Sequence, residues 1–146
     1  MPLLIRTMEH QDLEPCTALY LDAFSQAPWN DCDPPGVVRQ YIRNMLESPA
    51  GLCYVAELDG ETVGLCLGMR KPWIRGIEYY VDQFCVAPAW QRQGIGSRLL
   101  NGAAELAARE GVSGMLLHTE RAFPAFAFYR KNGFQELEGL TALGRE

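Results

Sequence analysis

The chain has 146 residues, 48% of them apolar and 21% charged, the mix of a globular domain large enough to bury a substantial core. A net charge of -5 and a pI near 5.1 argue against nucleic acid or an anionic membrane as partner, because binding phosphate asks for a basic surface. Five cysteines without CxxC or His/Cys metal spacing argue against a disulfide framework or a metal site, and with no basic leader and no long apolar run the expectation is a cytoplasmic protein.

Leu3 to Met8 reads as a first strand, and Leu13, Cys16, Tyr20, Ala23 and Phe24 then recur at helical spacing with Asp12 placed as a cap. Three prolines and the run Pro28-Trp29-Asn30-Asp31 make residues 25–36 a loop. Beyond it Val37, Val38, Tyr41, Ile42, Met45 and Leu46 mark one face of a second helix, stopped by Ser48, Pro49 and Gly51. Leu52 to Leu58 and Thr62 to Met69 flank Asp59-Gly60, a dipeptide that tolerates positive φ, and this predicts an antiparallel hairpin. A third run, Ile77 to Val86, precedes Pro88 and the segment QRQGIGSRLL, whose helical pattern continues through Leu99, Ala103 and Leu106 to a stop at Gly111. A strand at 114–119, a short helix from Pro124 to Gly133 and a last strand from Phe134 follow. The order β, α, α, β, β, β, α, β, α, β, with no repeat or linker, predicts one domain over residues 1–146. Its expected form is an α/β sandwich with helices on both faces of a mixed sheet.

The segment Gln91-Arg92-Gln93-Gly94-Ile95-Gly96-Ser97 joins a strand to a helix, so the first N–H groups of that helix lack internal partners and present the positive end of its dipole. This is an anion site, with Gly94 and Gly96 removing side chains that would keep a pyrophosphate away. A P-loop needs GK[ST] where Gly96-Ser97-Arg98 stands, and a dinucleotide fingerprint needs a third glycine where Leu99 stands.

The run VAPAWQRQGIGSRLL resembles the acyl-CoA signature of the GNAT superfamily, and Ala125-Phe126-Ala127-Phe128-Tyr129-Arg130-Lys131-Asn132-Gly133-Phe134 is similar to that family's second motif. The resemblance implies a central sheet of six to seven strands, splayed apart at the acyl-CoA site. It further implies that the N–H groups of Gln91, Arg92, Gln93, Gly94, Ile95, Gly96 and Ser97 receive the pyrophosphate of acetyl-CoA. The strand end Phe84, Cys85 and Val86 would pair with the pantetheine arm. Its function would be transfer of acetyl from acetyl-CoA to a primary amine of a small molecule by direct attack in a ternary complex. A peptide or protein N-terminus is the alternative acceptor, and a catalytically weak acyl-CoA-binding sensor or partner-binding module the alternative role. The family frequently dimerises through its last strands, so a homodimer is a further expectation.

Aminolysis of a thioester needs a neutral amine, a polarised carbonyl and a proton donor for the leaving thiolate. The resemblance assigns the donor to Tyr129, close to the cofactor sulfur. For the base, Glu78, Tyr80 and Asp82 alternate onto one side of a strand that also presents Phe84 and Val86, unless a bulge changes the register. Asp82 is the first choice and Glu78 the second. Where the family often has an asparagine seven residues before the tyrosine, this chain has Ala122. His118 reads as a satisfied core or edge histidine, and Cys85 lacks a paired histidine that would make it a nucleophile.

In the family the first two helices and their loop wall the acceptor site, which here means Phe24, Trp29, Asn30 and Asp31, with Tyr80 opposite. The PWND run resembles that of small bacterial members described as aminoglycoside 6'-acetyltransferases. Trp29 with Asp31, Asp33 and Glu78 offers an aromatic face and carboxylates to a cation.

Overall fold

The computed structural model describes residues 2–146. Strand β1 (Leu3–Thr7) leads through a 3₁₀ turn at His10–Asp12 into α1 (Leu13–Phe24), and α2 (Pro35–Glu47) follows the proline loop. Next come β2 (Gly51–Leu58), β3 (Glu61–Trp73) and β4 (Gly76–Val86), a 3₁₀ turn at Pro88–Trp90, α3 (Ile95–Arg109), β5 (Gly114–Leu117) and α4 (Pro124–Lys131). The strands form one sheet in the order β1-β2-β3-β4-β5, antiparallel throughout except for the parallel pair β4 and β5. Among the described residues no helix is long and apolar enough to cross a membrane.

The alternation of the central strands fills two cores. Cys53, Val55, Leu65, Leu67 and Cys85 meet Cys16, Leu19 and Ile42 of α1 and α2 on one face. Tyr54, Val63, Cys66, Tyr79 and Val81 meet Leu99, Ala103 and Ala107 of α3 on the other. The central strands are therefore apolar on both sides, as a doubly covered sheet requires. Asp59 and Gly60 adopt φ 50° and 80°, the two positive values that a type I′ hairpin turn needs.

Asp12 does not cap α1 with its side chain. Its carboxylate accepts the Glu9 N–H at 2.7 Å and takes both guanidinium nitrogens of Arg6 at 2.7 and 2.8 Å, while Arg6 also reaches Glu57 at 3.0 Å. This partly buried cluster clamps the start of α1 to the strand pair β1 and β2. The Arg6 guanidinium holds the Asp12 carboxyl below its ordinary value. Asp12→Ala is expected to cost about 3 kcal/mol, because it strands a partly buried arginine. Urea unfolding at neutral pH measures the difference. Since the folded-state value is depressed, the contribution is complete above the unfolded carboxylate value and vanishes as pH falls through the folded one, so wild type and variant converge in acid.

The sheet has five strands, where six to seven were expected. After α4 the chain turns at Gly133 (φ 92°), Phe134 N–H returns to the Tyr129 carbonyl, and no strand follows. The segment FQELEGLTALGRE has few β-branched residues, and Gly139 (φ 88°) bends it between Leu137 and Leu140 after five residues. Strand β5, four residues long, also offers a short template for a further ladder.

Candidate active site

The glycine turn leaves a run of backbone amides without backbone acceptors among the described residues. Gly94 sits at the helix cap with φ 81°, a conformation that disfavours any side chain, and a Cβ there would meet only open space. The Gln91 N–H, expected to face the pyrophosphate, instead bonds the Pro88 carbonyl at 3.4 Å, and the next amide with a backbone acceptor is that of Arg98, which bonds the Gly94 carbonyl at 3.2 Å. Among the described residues the N–H groups of Arg92 to Ser97 have no backbone acceptor, and no acidic residue occupies the first turn. The free amides and the helix dipole suit a pyrophosphate. Gln91 ties the turn to the end of β4 through Nε2 and the Val86 carbonyl at 3.0 Å. Gly96 also serves the packing: a Cβ there would lie 3.2 Å from the Phe128 ring, so this glycine lets α4 approach α3.

Beside the turn the sheet opens. The parallel ladder runs only from Glu78 opposite Gly114 to Val81 opposite Leu117. From Gln83 to Val86, β4 keeps its pairing with β3 but leaves its other edge outside the ladder with β5, free to bond an extended chain.

A bulge falls at this opening. Leu67 pairs with Gln83 and Gly68 with Val81, which leaves Asp82 as the extra residue. Side-chain parity changes there. Glu78 and Tyr80 share the face of α1 and α2 with Cys85, whereas Phe84 and Val86 pack against α3, so the expectation that all five project from one side is corrected. Gly68 makes the bulge possible, since a Cβ there would lie 2.2 Å from the Tyr79 ring and 2.3 Å from the Tyr80 carbonyl oxygen.

Asp82 is exposed on the α1/α2 face, where one carboxylate oxygen accepts the Tyr41 hydroxyl. Glu78 lies four residues up the strand, roughly 13 Å away at ordinary strand rise. It belongs to a separate hollow at the turn formed by Trp73, Ile74, Arg75 and Gly76. The two carboxylates are thus not brought together. Tyr80, half-buried, bonds His118 Nδ1 through its hydroxyl at 2.7 Å, across the gap where the two strands part.

Tyr129 reaches the same opening from α4. Its ring centroid lies 6.1 Å from Phe84, 5.4 Å from Phe128 and 5.6 Å from Phe134, and its hydroxyl makes no hydrogen bond among the described residues. Burial, reinforced by Cys66 and Cys85, pushes its phenol well above the ordinary value, so it stays protonated at neutral pH. Burial likewise pushes up the Cys85 thiol, which has no histidine partner and is not a nucleophile.

The acceptor wall is an aromatic chain. Tyr20 lies 4.7 Å from Phe24, Phe24 lies 5.2 Å from Trp29, and Trp29 meets Phe123 edge-on at 6.0 Å, so the proline loop touches the loop before α4. Asn30 and Asp31 stand exposed beside it, with Asp31 N–H bonded to the Phe24 carbonyl at 2.8 Å. Burial, with smaller contributions led by Asp33 and including Asp31 and Asp82, pushes the Tyr20 phenol up to about 12. Three carboxylates therefore act on one side of this wall. A hollow of about 990 Å³ runs along the free edge of β5 beneath the chain after Gly133, bordered by His118 and Tyr129.

Tyr41, Phe123 and His118 were not among the candidate site residues. Tyr41 reads from sequence as one more position on the buried face of α2, and only the bulge in β4 gives its hydroxyl a partner.

Residues 13–134 match the family model described as Acetyltransferase (GNAT) family. The chain is 32% identical over 141 residues to N-alpha-acetyltransferase RimI of Mycobacterium tuberculosis (strain ATCC 25618 / H37Rv), covering 93% of this chain and 80% of the relative. It is 27% identical over 127 residues to aminoglycoside N(6')-acetyltransferase type 1 of Stenotrophomonas maltophilia, covering 77% and 76%. Its fold is similar to that of AAC(6')-Iy in complex with the bisubstrate analogue CoA-S-monomethyl-acetylneamine, with TM-score 0.81, 16% identity and coverage of 100% and 99%. Because the family match spans both the strand, turn and helix that offer the free amides and the helix that carries Tyr129, the chain belongs to the GNAT family and is an acyl-CoA-dependent acetyltransferase.

Proposed function

We propose that this acetyltransferase acylates a primary amine of a small cationic molecule by direct attack within a ternary complex. The observation that carries the reading is Asp82, turned by the bulge onto the acceptor face where the β4 and β5 ladder ends, with Asp31 and Asp33 across the aromatic wall. An ammonium entering there meets carboxylates and ring faces. Acetyl-CoA supplies the activated acyl group. The amides of Arg92 to Ser97 hold its pyrophosphate, the free edge of β4 from Phe84 to Val86 aligns its arm, and Tyr129 donates a proton to the departing sulfur. The carboxylate oxygen of Asp82 that Tyr41 leaves free orients the amine. Aminoglycosides lead the acceptor classes, supported by the relative in Stenotrophomonas maltophilia. A protein N-terminus is the second reading, supported by the 32% identity to RimI.

A screen of thiol release from acetyl-CoA with aminoglycosides, polyamines and peptide N-termini tests this directly. Turnover with a multiply charged small amine is expected, and turnover confined to peptides overturns the small-molecule reading. Asp82→Asn keeps the Tyr41 hydrogen bond and removes the charge. Its KM for the amine is expected to rise about tenfold, the worth of one hydrogen bond to a charged group, while the KM for acetyl-CoA is unchanged.

A further inference from the structure

An amine reaches the enzyme as an ammonium ion and must lose a proton before it attacks. Asp82 accepts the Tyr41 hydroxyl with one oxygen, which leaves the other to orient the amine. A different pair spans the gap. Tyr80 stands two residues before Asp82 on the same face, and its hydroxyl lies 2.7 Å from Nδ1 of His118 on β5. The two rings are 5.6 Å apart between centroids, and no backbone ladder separates β4 from β5 beyond Val81 and Leu117. His118 in turn borders the hollow of about 990 Å³ along the free edge of β5, which opens to solvent.

We propose that Tyr80 and His118 form a proton relay that carries the amine's proton from the acceptor site to the groove beside β5. The ammonium gives a proton to the Tyr80 oxygen while Tyr80 passes its own to His118 Nδ1. The imidazolium so formed releases its Nε2 proton to water in the groove, and the amine nitrogen keeps the electron pair with which it attacks the acyl carbon. Burial and Asp82 hold the Tyr80 phenol above its ordinary value, so at rest it keeps the proton that it can pass to Nδ1 of His118. His118 acts through Tyr80 and is a positioning residue, not one that touches substrate.

Tyr80 faces His118 from β4, and the titratable groups that line the hollow with it are Glu120 and Arg121 in the loop before α4, Tyr129 and Arg130 on α4, and Glu136 after it. Arg121 and Glu136 are paired with each other. None of these is an imidazole, and the chain's other histidine, His10, bonds Glu47 at 3.2 Å. His118 is thus the imidazole within reach of the Tyr80 hydroxyl.

The relay rests on the proposed amine acetylation, and the experiment separates the two. Steady-state kcat is measured against pH for the wild type, His118→Asn and Tyr80→Phe with one amine found to turn over in the screen. Asparagine presents an oxygen near the position of Nδ1 and so preserves the hydrogen bond from Tyr80, yet it cannot carry the proton onward. The ratio of wild-type to H118N kcat is expected to be about tenfold or more near pH 8 and to fall toward one in acid, because an imidazole that already carries a proton cannot accept another. The amine's own ionisation is common to both and cancels. Tyr80→Phe is expected to show the same convergence. A ratio independent of pH, or no loss at all, overturns the relay even if the wild type acetylates amines well. Absence of turnover by the wild type with every amine overturns the proposed function and the relay with it.

Discussion

Tyr129→Phe is expected to lower kcat by about a hundredfold, the scale on which a positioned proton donor acts, with no change in the dissociation constant for acetyl-CoA. The substitution removes one oxygen and leaves the ring among Phe84, Phe128 and Phe134, so the packing that holds α4 against the sheet survives. The hydroxyl it removes has no partner among the described residues, so no internal hydrogen bond is broken and folding should be unaffected. Burial raises the phenol, which keeps the proton available through neutral and mildly alkaline pH and predicts no loss of activity from Tyr129 across that range. Single-turnover rates alongside calorimetric binding of acetyl-CoA distinguish the outcomes. An unchanged rate removes Tyr129 from the mechanism, whereas a parallel loss of affinity makes it a binding group.

Gly68→Ala is expected to cost about 3 kcal/mol of stability, at the upper end for overpacking a core, and to lower activity beyond the loss of folded protein. The added methyl would stand 2.2 Å from the Tyr79 ring and 2.3 Å from the Tyr80 carbonyl. Neither can yield cheaply. Tyr79 is fully buried with its hydroxyl bonded to the Leu52 carbonyl at 2.8 Å, and the Tyr80 carbonyl belongs to the bulged backbone itself. Relief must come from the strand pair, which shifts Asp82 and the Tyr80 ring together. Thermal unfolding and kcat/KM for the amine, corrected for the folded fraction, measure both effects. A variant of wild-type stability and activity would mean that the bulge does not depend on this glycine.

Much of the architecture is legible in local pattern. The apolar spacing of Leu13 to Phe24 and of Val38, Ile42 and Met45 marks both helices, because a 3.6-residue period is a property of the chain alone. The Asp59-Gly60 turn follows as directly, since its positive φ values select those residue types. The misjudged strand after Gly133 is the converse case. An apolar start at Phe134 carries no information about whether a neighbouring edge exists to pair with it, and strand formation is decided by that neighbour.

For the candidate site, the sequence by itself marked the glycine turn, Tyr129 and the carboxylate on the third long strand as candidates, because each lies within a short motif or a single alternating run. What only the tertiary structure decided is which side chains meet. The one-residue bulge opposite Gly68 reverses parity beyond Asp82, turning Phe84 and Val86 toward α3 and giving Tyr41 its partner, while the parting of β4 from β5 leaves Tyr80 to bond His118. These contacts join residues 38 to 41 positions apart. A bulge or a splay is set by the packing of whole elements, so no local pattern records it.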